Sequence, residues 1–309
     1  MSSARVRLGL VALDVGDADA PTAKAPTANA ALAVPTAAVL AAPGTPVGAP
    51  LLRVFPAGST FEVGEERFAV GLVDDQGPID RGPAQLLFFK VTSGQGVLRQ
   101  TIPAEFQPYG VEEAHDDDHD EGSAITGVFV ARPNFDEAGD WGVVARVQNA
   151  AGREVQGQAN FSVTADSPVP ARGESPPAIR TLTAANPDDA AKICTANPVD
   201  DMPGLSVGDA IASGKPTVVL FASPLLCSTR TCGPSLETLI ELKRRYGTGA
   251  NFIQVEVYPD RDPDKPVAAL AKWGLPSEPW LFLIDAKGKV VDRFEGASVC
   301  RNSTLPSTC

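Results

Sequence analysis

The stretch KPTVVLFASPLLCSTRTCGPSLETL, residues 215–239, constrains the fold of this chain more than any other. It opens with KPTVVLFAS, whose centre is a continuous apolar run with β-branched residues, which is typical of a strand buried on both faces. Two cysteines, Cys227 and Cys232, follow it. The next residues are spaced as on a helix: Leu236, Leu239, Ile240 and Lys243. A buried strand that runs through a cysteine-bearing turn into a helix favours an α/β domain.

The sequence after this helix continues the α/β pattern. NFIQVEVY predicts a second strand, PVAALAKWG a second helix, and WLFLIDAKGKVVDRFEG a hairpin with a Lys-Gly turn. The order β-α-β-α-β-β indicates a parallel pair of strands extended by an antiparallel hairpin. Helices are then expected on both faces of the sheet.

This order resembles the thioredoxin fold, and two local signatures carry the resemblance: the cysteine turn and EPWLFLIDAKGKVVDRFEG. The resemblance covers residues 183–297 and implies a thiol–disulfide oxidoreductase that acts on protein substrates and needs no cofactor. It also implies a cis bond between Glu278 and Pro279, in a loop that faces the cysteines and docks extended substrate chains. Trp280 follows directly and belongs either to the core or to the substrate groove.

The cysteine chemistry follows from position. A cysteine at a helix start lies in the field of unpaired backbone N–H groups, which favours the thiolate, so Cys227 is the candidate nucleophile. Arg230 adds positive charge, and Ser228 and Thr229 can cap the helix. Cys232 is the only near partner in sequence, and a disulfide requires the two Cα atoms to come within about 6 Å.

The spacing of the pair departs from the family's CxxC motif, because four residues separate the cysteines. Residues five apart on a regular helix point about 140° away from each other, so Cys227 must precede the helix if the two cysteines bond. Pro is favoured in a first helical turn, which predicts a helix that starts near Pro234. Residues 227–232 would then form a loop that a Cys227–Cys232 disulfide can close.

Two other functions remain open. Many thioredoxin-fold modules act as non-catalytic binding scaffolds, in which the disulfide would be structural. Copper chaperones of the same fold use two cysteines with a distant histidine, but the only histidines, His115 and His119, lie outside the thioredoxin-like region. They belong to VEEAHDDDHDEGS, which is either a weak divalent-metal site or a solvated acidic loop.

Residues 51–165 carry a different pattern. About seven short strand-like runs alternate with Gly, Pro and Asp, which predicts an antiparallel β-sandwich. FDEAGDWGVVARV resembles a corner of bacterial immunoglobulin-like domains, and the resemblance makes Trp141 a core anchor. The fold class expected for the chain is therefore an all-β immunoglobulin-like sandwich followed by an α/β thioredoxin-like domain.

Composition limits the partners. The formal charge of −12 over 309 residues disfavours nucleic acid and anionic membrane surfaces. No apolar run reaches the roughly 18 residues of a membrane helix, so no membrane insertion is expected. The sequence carries no signal for a particular oligomeric state.

The remaining segments complete the domain plan. Residues 1–50 are rich in Ala and Pro and predict a disordered tether, although their apolar stretch is too short for an export signal. Residues 166–182 are a Pro-rich linker, and residues 298–309 an irregular tail. The tether suggests an extracytoplasmic location, in the periplasm or at the cell surface. Cys194 is interpreted first as a buried small hydrophobe, while Cys300 and Cys309 fall in the tail.

Overall fold

A computed structural model of the chain describes residues 52–109, 126–184, 187–197, 202–227, 231–296 and 298. All of them belong to one compact unit, Ala31–Cys309. The predicted tether, the acidic segment with His115 and His119, and the tail cysteines Cys300 and Cys309 lie outside the described residues.

The N-terminal region is made of β-strands. They are β1 (Arg53–Pro56), β2 (Phe61–Glu62), β3 (Gly64–Glu65), β4 (Phe68–Asp74), β5 (Gly77–Pro78), β6 (Pro83–Thr92), β7 (Gln95–Pro108), β8 (Gly127–Ala131), β9 (Asn134–Phe135), β10 (Gly139–Gln148) and β11 (Glu154–Thr164). One sheet has the order β1-β4-β8-β7-β6-β10-β11-β2, with β5 paired to β4, and β3 pairs with β9. The backbone N–H of Leu52 donates to the carbonyl of Gln156 at 3.1 Å, so the sheet curls until its first edge meets β11. This β-rich architecture is consistent with the predicted sandwich.

An aromatic cluster fills the curled sheet. The residues of β10 alternate between its two faces, which sends Trp141, Val143 and Ala145 into the interior. Trp141 is completely buried, and its indole N–H donates to the carbonyl of Glu137 at 2.9 Å. The prediction that Trp141 is a core anchor is confirmed. Phenylalanine rings pack around one another in the same core: Phe61, Phe68, Phe88, Phe135 and Phe161.

The C-terminal region is a four-stranded sheet with helices. Its elements are α1 (Pro187–Ile193), α2 (Val207–Ala212), β12 (Thr217–Ala222), α3 (Cys232–Tyr246), β13 (Asn251–Glu256), α4 (Ala268–Lys272), β14 (Trp280–Ile284) and β15 (Val290–Glu295). Short 3-10 turns lie at Met202–Gly204 and Gly247–Gly249. The strand order is β13-β12-β14-β15, in which β12 is parallel to β13 and antiparallel to β14. The parallel pair and the hairpin therefore match the order predicted from the sequence.

The central strand β12 is buried on both faces, as its continuous apolar run predicted. Val219 and Phe221 face a core that includes Trp273, just beyond α4. Val218 and Leu220 face the opposite core, which is covered by α3. Each face of the sheet thus has its own apolar layer.

Helix α3 corrects two expectations. It begins at Cys232, two residues before the predicted start near Pro234. Ile240, which the helical spacing placed on the apolar face, is 45% exposed. Each residue advances about 100° around a helix, and the buried arc is centred near Leu239, so Ile240 turns towards solvent while Leu242 is buried.

The predicted linker, residues 166–182, packs against the C-terminal sheet. The N–H of Gly173 donates to the carbonyl of Val290 at 2.8 Å, and the N–H of Val290 donates to the carbonyl of Glu174 at 2.9 Å. Val169 is buried in the apolar layer around Trp273. We call residues 166–182 the strap, since two backbone hydrogen bonds tie them to Val290 at the start of β15.

Among the residues that the structure describes, no helix combines the length and the apolar character needed to cross a bilayer.

Candidate functional site

The two cysteines lie where β12 passes into α3. Strand β12 ends at Ala222, and a turn follows in which the N–H of Leu226 donates to the carbonyl of Ser223 at 3.1 Å. Cys227 comes directly after this turn and is partly exposed, whereas Cys232 is the first residue of α3 and is completely buried. Ser228, Thr229 and Arg230, predicted to assist Cys227, lie outside the described residues.

Cys227 accepts a hydrogen bond from the start of α3. The N–H of Cys232 donates to the Cys227 Sγ atom at 3.3 Å. The first N–H groups of a helix have no acceptor within the helix, and the helix dipole favours negative charge there. Cys227 thus precedes the helix, as the spacing argument required, while its sulfur still lies in the field of the helix terminus.

The predicted Cys227–Cys232 disulfide is not formed in the structure, in which both residues are thiols. Their sulfur atoms nevertheless lie within 4.8 Å of each other. A disulfide requires about 2.05 Å, so the bond needs a further approach of the two sulfurs. The described arrangement therefore has two separate sulfurs, and the disulfide stays a prediction.

The buried thiol is held in its protonated form. A hydrogen bond between the side chains of Cys232 and Cys227 is the largest cause that raises the pKa of Cys232, followed by burial and by the negative charges of Cys227 and Glu278. Cys227 is the more exposed of the two residues. The two cysteines thus differ in exposure, and the hydrogen bond with Cys227, together with burial, raises the pKa of Cys232.

Glu278 completes the cluster from the loop before β14. One of its carboxylate oxygens lies within 4.8 Å of both sulfur atoms. The Glu278–Pro279 bond is cis, as the resemblance implied, and this loop faces the cysteines. Burial is the largest cause that raises the pKa of Glu278, and the charge of Cys227 raises it further. Glu278 was named from the sequence as a substrate-binding residue, but its proximity to both thiols was not foreseen.

Tyr258 supports Glu278 and was missed as a site residue. Its hydroxyl donates to Glu278 Oε2 at 3.3 Å, which lowers the pKa of the carboxyl and so opposes the effect of burial. Burial, followed by the charge of Glu278, raises the pKa of Tyr258 to about 12. The sequence shows Tyr258 only as an aromatic residue at the end of a strand-like run, with no signal that it belongs to the site.

Of the two positions expected for Trp280, the core or the substrate groove, the structure places it in the core. Trp280 is only 2% exposed and stacks on Phe282, with ring centroids 5.7 Å apart. Its indole N–H donates to the Ser277 hydroxyl at 3.3 Å. Alternation along β14 sends Trp280 and Phe282 into the same apolar layer, which leaves Glu278 as the side chain of this loop that reaches the sulfurs.

A buried polar network lies behind the cysteine turn. Thr195 donates to Glu256 Oε2 from its backbone N–H at 2.8 Å and from its hydroxyl at 2.6 Å. The N–H of Leu225 donates to the Thr195 hydroxyl at 3.4 Å, and the N–H of Tyr258 donates to Glu256 Oε1 at 3.2 Å. Glu256 therefore connects the turn before Cys227 to the residue that supports Glu278.

Cys194 directly precedes this network. It is buried in the apolar layer that also contains Cys232, in agreement with its interpretation as a small core residue.

Comparisons with known proteins do not identify a family. No protein-family model matches the chain, and no curated protein matches it. Among solved structures, the chain has a similarity to CopC from Methylosinus trichosporium OB3b, at 13% identity and a TM-score of 0.22. The match covers 37% of this chain and 97% of CopC. A TM-score this low supports no inference about fold or function.

Proposed function

We propose that this protein carries out thiol–disulfide exchange on protein substrates, through a thioredoxin-like C-terminal domain. The observation that carries the proposal is the asymmetry of the cysteine pair. Cys227 is partly exposed and accepts the first N–H of α3, while Cys232 is buried with a raised pKa. A nucleophilic thiol requires access and stabilisation of its thiolate, and a resolving thiol requires proximity.

The fold supports the same proposal. The strand order β13-β12-β14-β15, the helix that begins in the cysteine turn and the cis Glu278–Pro279 bond all fit a thioredoxin-like domain. The β-rich region before it fits an immunoglobulin-like module. An extracytoplasmic location belongs to the proposal as well, on the strength of the Ala/Pro-rich N-terminal sequence.

The exchange proceeds in two steps. The Cys227 thiolate attacks one sulfur of a substrate disulfide, which forms a mixed disulfide and releases the other substrate sulfur as a thiolate. Cys232 then loses its proton to that thiolate and attacks the Cys227 sulfur, which releases the second substrate sulfur as a thiolate. This thiolate takes a proton from solvent. The pair is oxidised by two electrons, and the substrate disulfide is reduced to two thiols. The reverse sequence oxidises a substrate.

The test uses trapping variants of the full chain in which Cys300 and Cys309 are replaced by Ser. In this background Cys232→Ser should accumulate a mixed disulfide with oxidised insulin, because no resolving thiol remains. Cys227→Ser should accumulate almost none, because the attacking thiol is gone. Gel electrophoresis without reductant measures the trapped product, and the unsubstituted pair should reduce insulin in the presence of dithiothreitol.

Cys194→Ser is the matched control, since it removes a buried thiol outside the pair and should preserve insulin reduction. A purely structural pair predicts a different result. Neither variant would then trap insulin, and the parent would not accelerate its reduction; that outcome would refute the exchange proposal and favour a binding module.

A further inference from the structure

Three side chains of different elements bring metal-binding atoms to one place. They are Cys227 from the turn after β12, Cys232 from the start of α3 and Glu278 from the loop before β14. Their two sulfurs and one carboxylate oxygen all lie within 4.8 Å of one another. Among the described residues, these are the three His, Cys, Asp or Glu side chains whose ligand atoms lie close enough together to hold one metal ion.

The spacing is close to that of a tetrahedral zinc site. Zinc–sulfur bonds of about 2.3 Å and zinc–oxygen bonds of about 2.0–2.2 Å place neighbouring ligand atoms roughly 3.4–3.8 Å apart. From the observed upper limit of 4.8 Å, the ligand atoms need to approach one another by at most about 1.0–1.4 Å. Cys227 and Glu278 are partly exposed and can make this adjustment, while α3 holds Cys232 in place.

We propose that the reduced cysteine pair and Glu278 form a binding site for a thiophilic metal ion, with Zn²⁺ as the ion that fits the donor set. Both thiols release their protons to solvent as the ion binds, and the Glu278 carboxylate supplies the third ligand. Three protein ligands leave a fourth tetrahedral position open for water or another ligand. The proposal needs reduced thiols and does not depend on whether the pair exchanges disulfides.

The donor set selects the ion. Two thiolates are poor ligands for Mg²⁺ and Ca²⁺, which bind oxygen. Cu⁺ also prefers soft sulfur ligands, but it binds carboxylate oxygen weakly. Zn²⁺ accepts both sulfur and oxygen, so Glu278 is the residue that distinguishes a zinc site from a two-sulfur copper site.

The surroundings of Glu278 fit a metal ligand. The Tyr258 hydroxyl donates to Glu278 Oε2 at 3.3 Å. A hydrogen bond of this kind, from a residue that does not itself bind the metal, orients a carboxylate ligand. The backbone N–H of Tyr258 is itself bonded to Glu256, so the support continues into the buried network. Cys227, Cys232 and Glu278 are all acids, and a divalent cation would relieve the repulsion among their charged forms.

The experiment measures Zn²⁺ binding to the reduced full chain by competition with a chromophoric chelator. His115→Ala and His119→Ala are included in the background to remove the histidines of the acidic segment, and Cys300→Ser and Cys309→Ser to remove the tail thiols. We expect one Zn²⁺ per chain. Cys227→Ser should abolish this binding, and oxidation of the pair should prevent it.

Two further variants test the third ligand and its support. Glu278→Gln should weaken Zn²⁺ binding, and Tyr258→Phe should weaken it by about 10- to 100-fold. Cys194→Ser is the matched control and should bind as the parent does. Replacement of Zn²⁺ by Co²⁺ should give the sulfur-to-metal absorption of two thiolate ligands, and circular dichroism checks that each variant is folded.

Three results would overturn the site: no Zn²⁺ binding in this background, equal affinity in Glu278→Gln, or binding of Cu⁺ alone with no effect of Glu278. Insulin reduction by the same metal-free protein separates the two proposals. A chain that reduces insulin but binds no Zn²⁺ refutes the metal site alone, and one that binds Zn²⁺ but reduces nothing refutes the exchange function alone.

Discussion

Cys227 and Cys232 have the same side chain but different surroundings. Cys227 ends a turn at the surface, whereas Cys232 begins a helix and is fully buried. The hydrogen bond between the two side chains, and then burial, raise the pKa of Cys232. Since only a thiolate reacts rapidly with an alkylating agent, the two residues should differ strongly in reactivity.

Iodoacetamide should therefore modify Cys227 before Cys232 and Cys194 in the native, reduced chain. Cys194 is also buried but lies outside the pair, so its reaction rate shows the effect of burial alone. Peptide mapping by mass spectrometry after short reaction times measures the order. In denaturant the three cysteines should react at similar rates, and modification of Cys232 as fast as Cys227 in the native protein would contradict the proposed division of roles.

At the scale of elements, the strap shows that a segment without helix or strand can belong to a core. Pro168 lies against the turn after α4: a Cβ atom on Gly274 would come 2.5 Å from the Pro168 carbonyl oxygen. Gly274 also has a φ of +65°, a conformation that L side chains rarely adopt. Glycine is needed here both for the turn and for the close approach of the strap.

Gly274→Ala should destabilise the protein more than Gly214→Ala. Gly214 has a φ of +71° and also follows a short helix, but a Cβ atom there would meet nothing within 4 Å. Gly214→Ala should cost about 1–2 kcal/mol for the backbone conformation, and Gly274→Ala about 1–3 kcal/mol more for the overlap with the strap. Urea unfolding measures both. Equal losses would mean that the strap contributes little to stability.

At the scale of the whole molecule, charged residues of β15 join the C-terminal sheet to the β-rich region. Arg293, with a side chain 8% exposed, contacts Glu62, and it pairs with Glu66 at 3.3 Å. Glu295 accepts hydrogen bonds from Ser59 at 2.6 Å and from Ser277, in the loop before Glu278, at 2.7 Å. Glu295 thus connects the β-rich region to the loop that carries Glu278.

Arg293→Met should lower stability by about 3–5 kcal/mol at neutral pH, because two carboxylates would lose their buried partner. Arg81→Met is the matched control: Arg81 pairs with Asp80 on the exposed surface, and its loss should leave stability nearly unchanged. Urea unfolding at pH 7 measures both variants. A loss in Arg293→Met no larger than in the control would show that the network does not couple the two regions.

The same variant should respond to pH. Burial is the largest cause that raises the pKa of Glu66, and Arg293 opposes it, so removal of Arg293 raises that pKa further. A carboxyl with a raised folded-state pKa contributes stability that is present below its unfolded pKa and lost as pH rises through the folded value. The loss of stability caused by Arg293→Met should therefore become smaller as pH falls from 7 towards 5. A loss of stability that stays constant or grows over this range would contradict this account.

Local patterns in the sequence determined much of this protein. Strand-like runs separated by turn residues predicted the strands of the β-rich region, and a continuous apolar run predicted the doubly buried β12. The resemblance to an immunoglobulin-like corner implied the burial of Trp141. The resemblance to the thioredoxin fold placed the cis Glu278–Pro279 bond. These features depend on residues close to one another in the chain, and so can be predicted without knowledge of distant contacts.

Tertiary structure alone decided what surrounds the thiols. Glu278 lies close to Cys227 although the two residues are far apart in sequence. Tyr258, which follows the end of β13, donates a hydrogen bond to Glu278. The burial of Trp280 and the packing of the strap depend equally on which surfaces meet. Side-chain periodicity assigns a residue to a face of its own element, but the partner across that face is set only when the elements pack together.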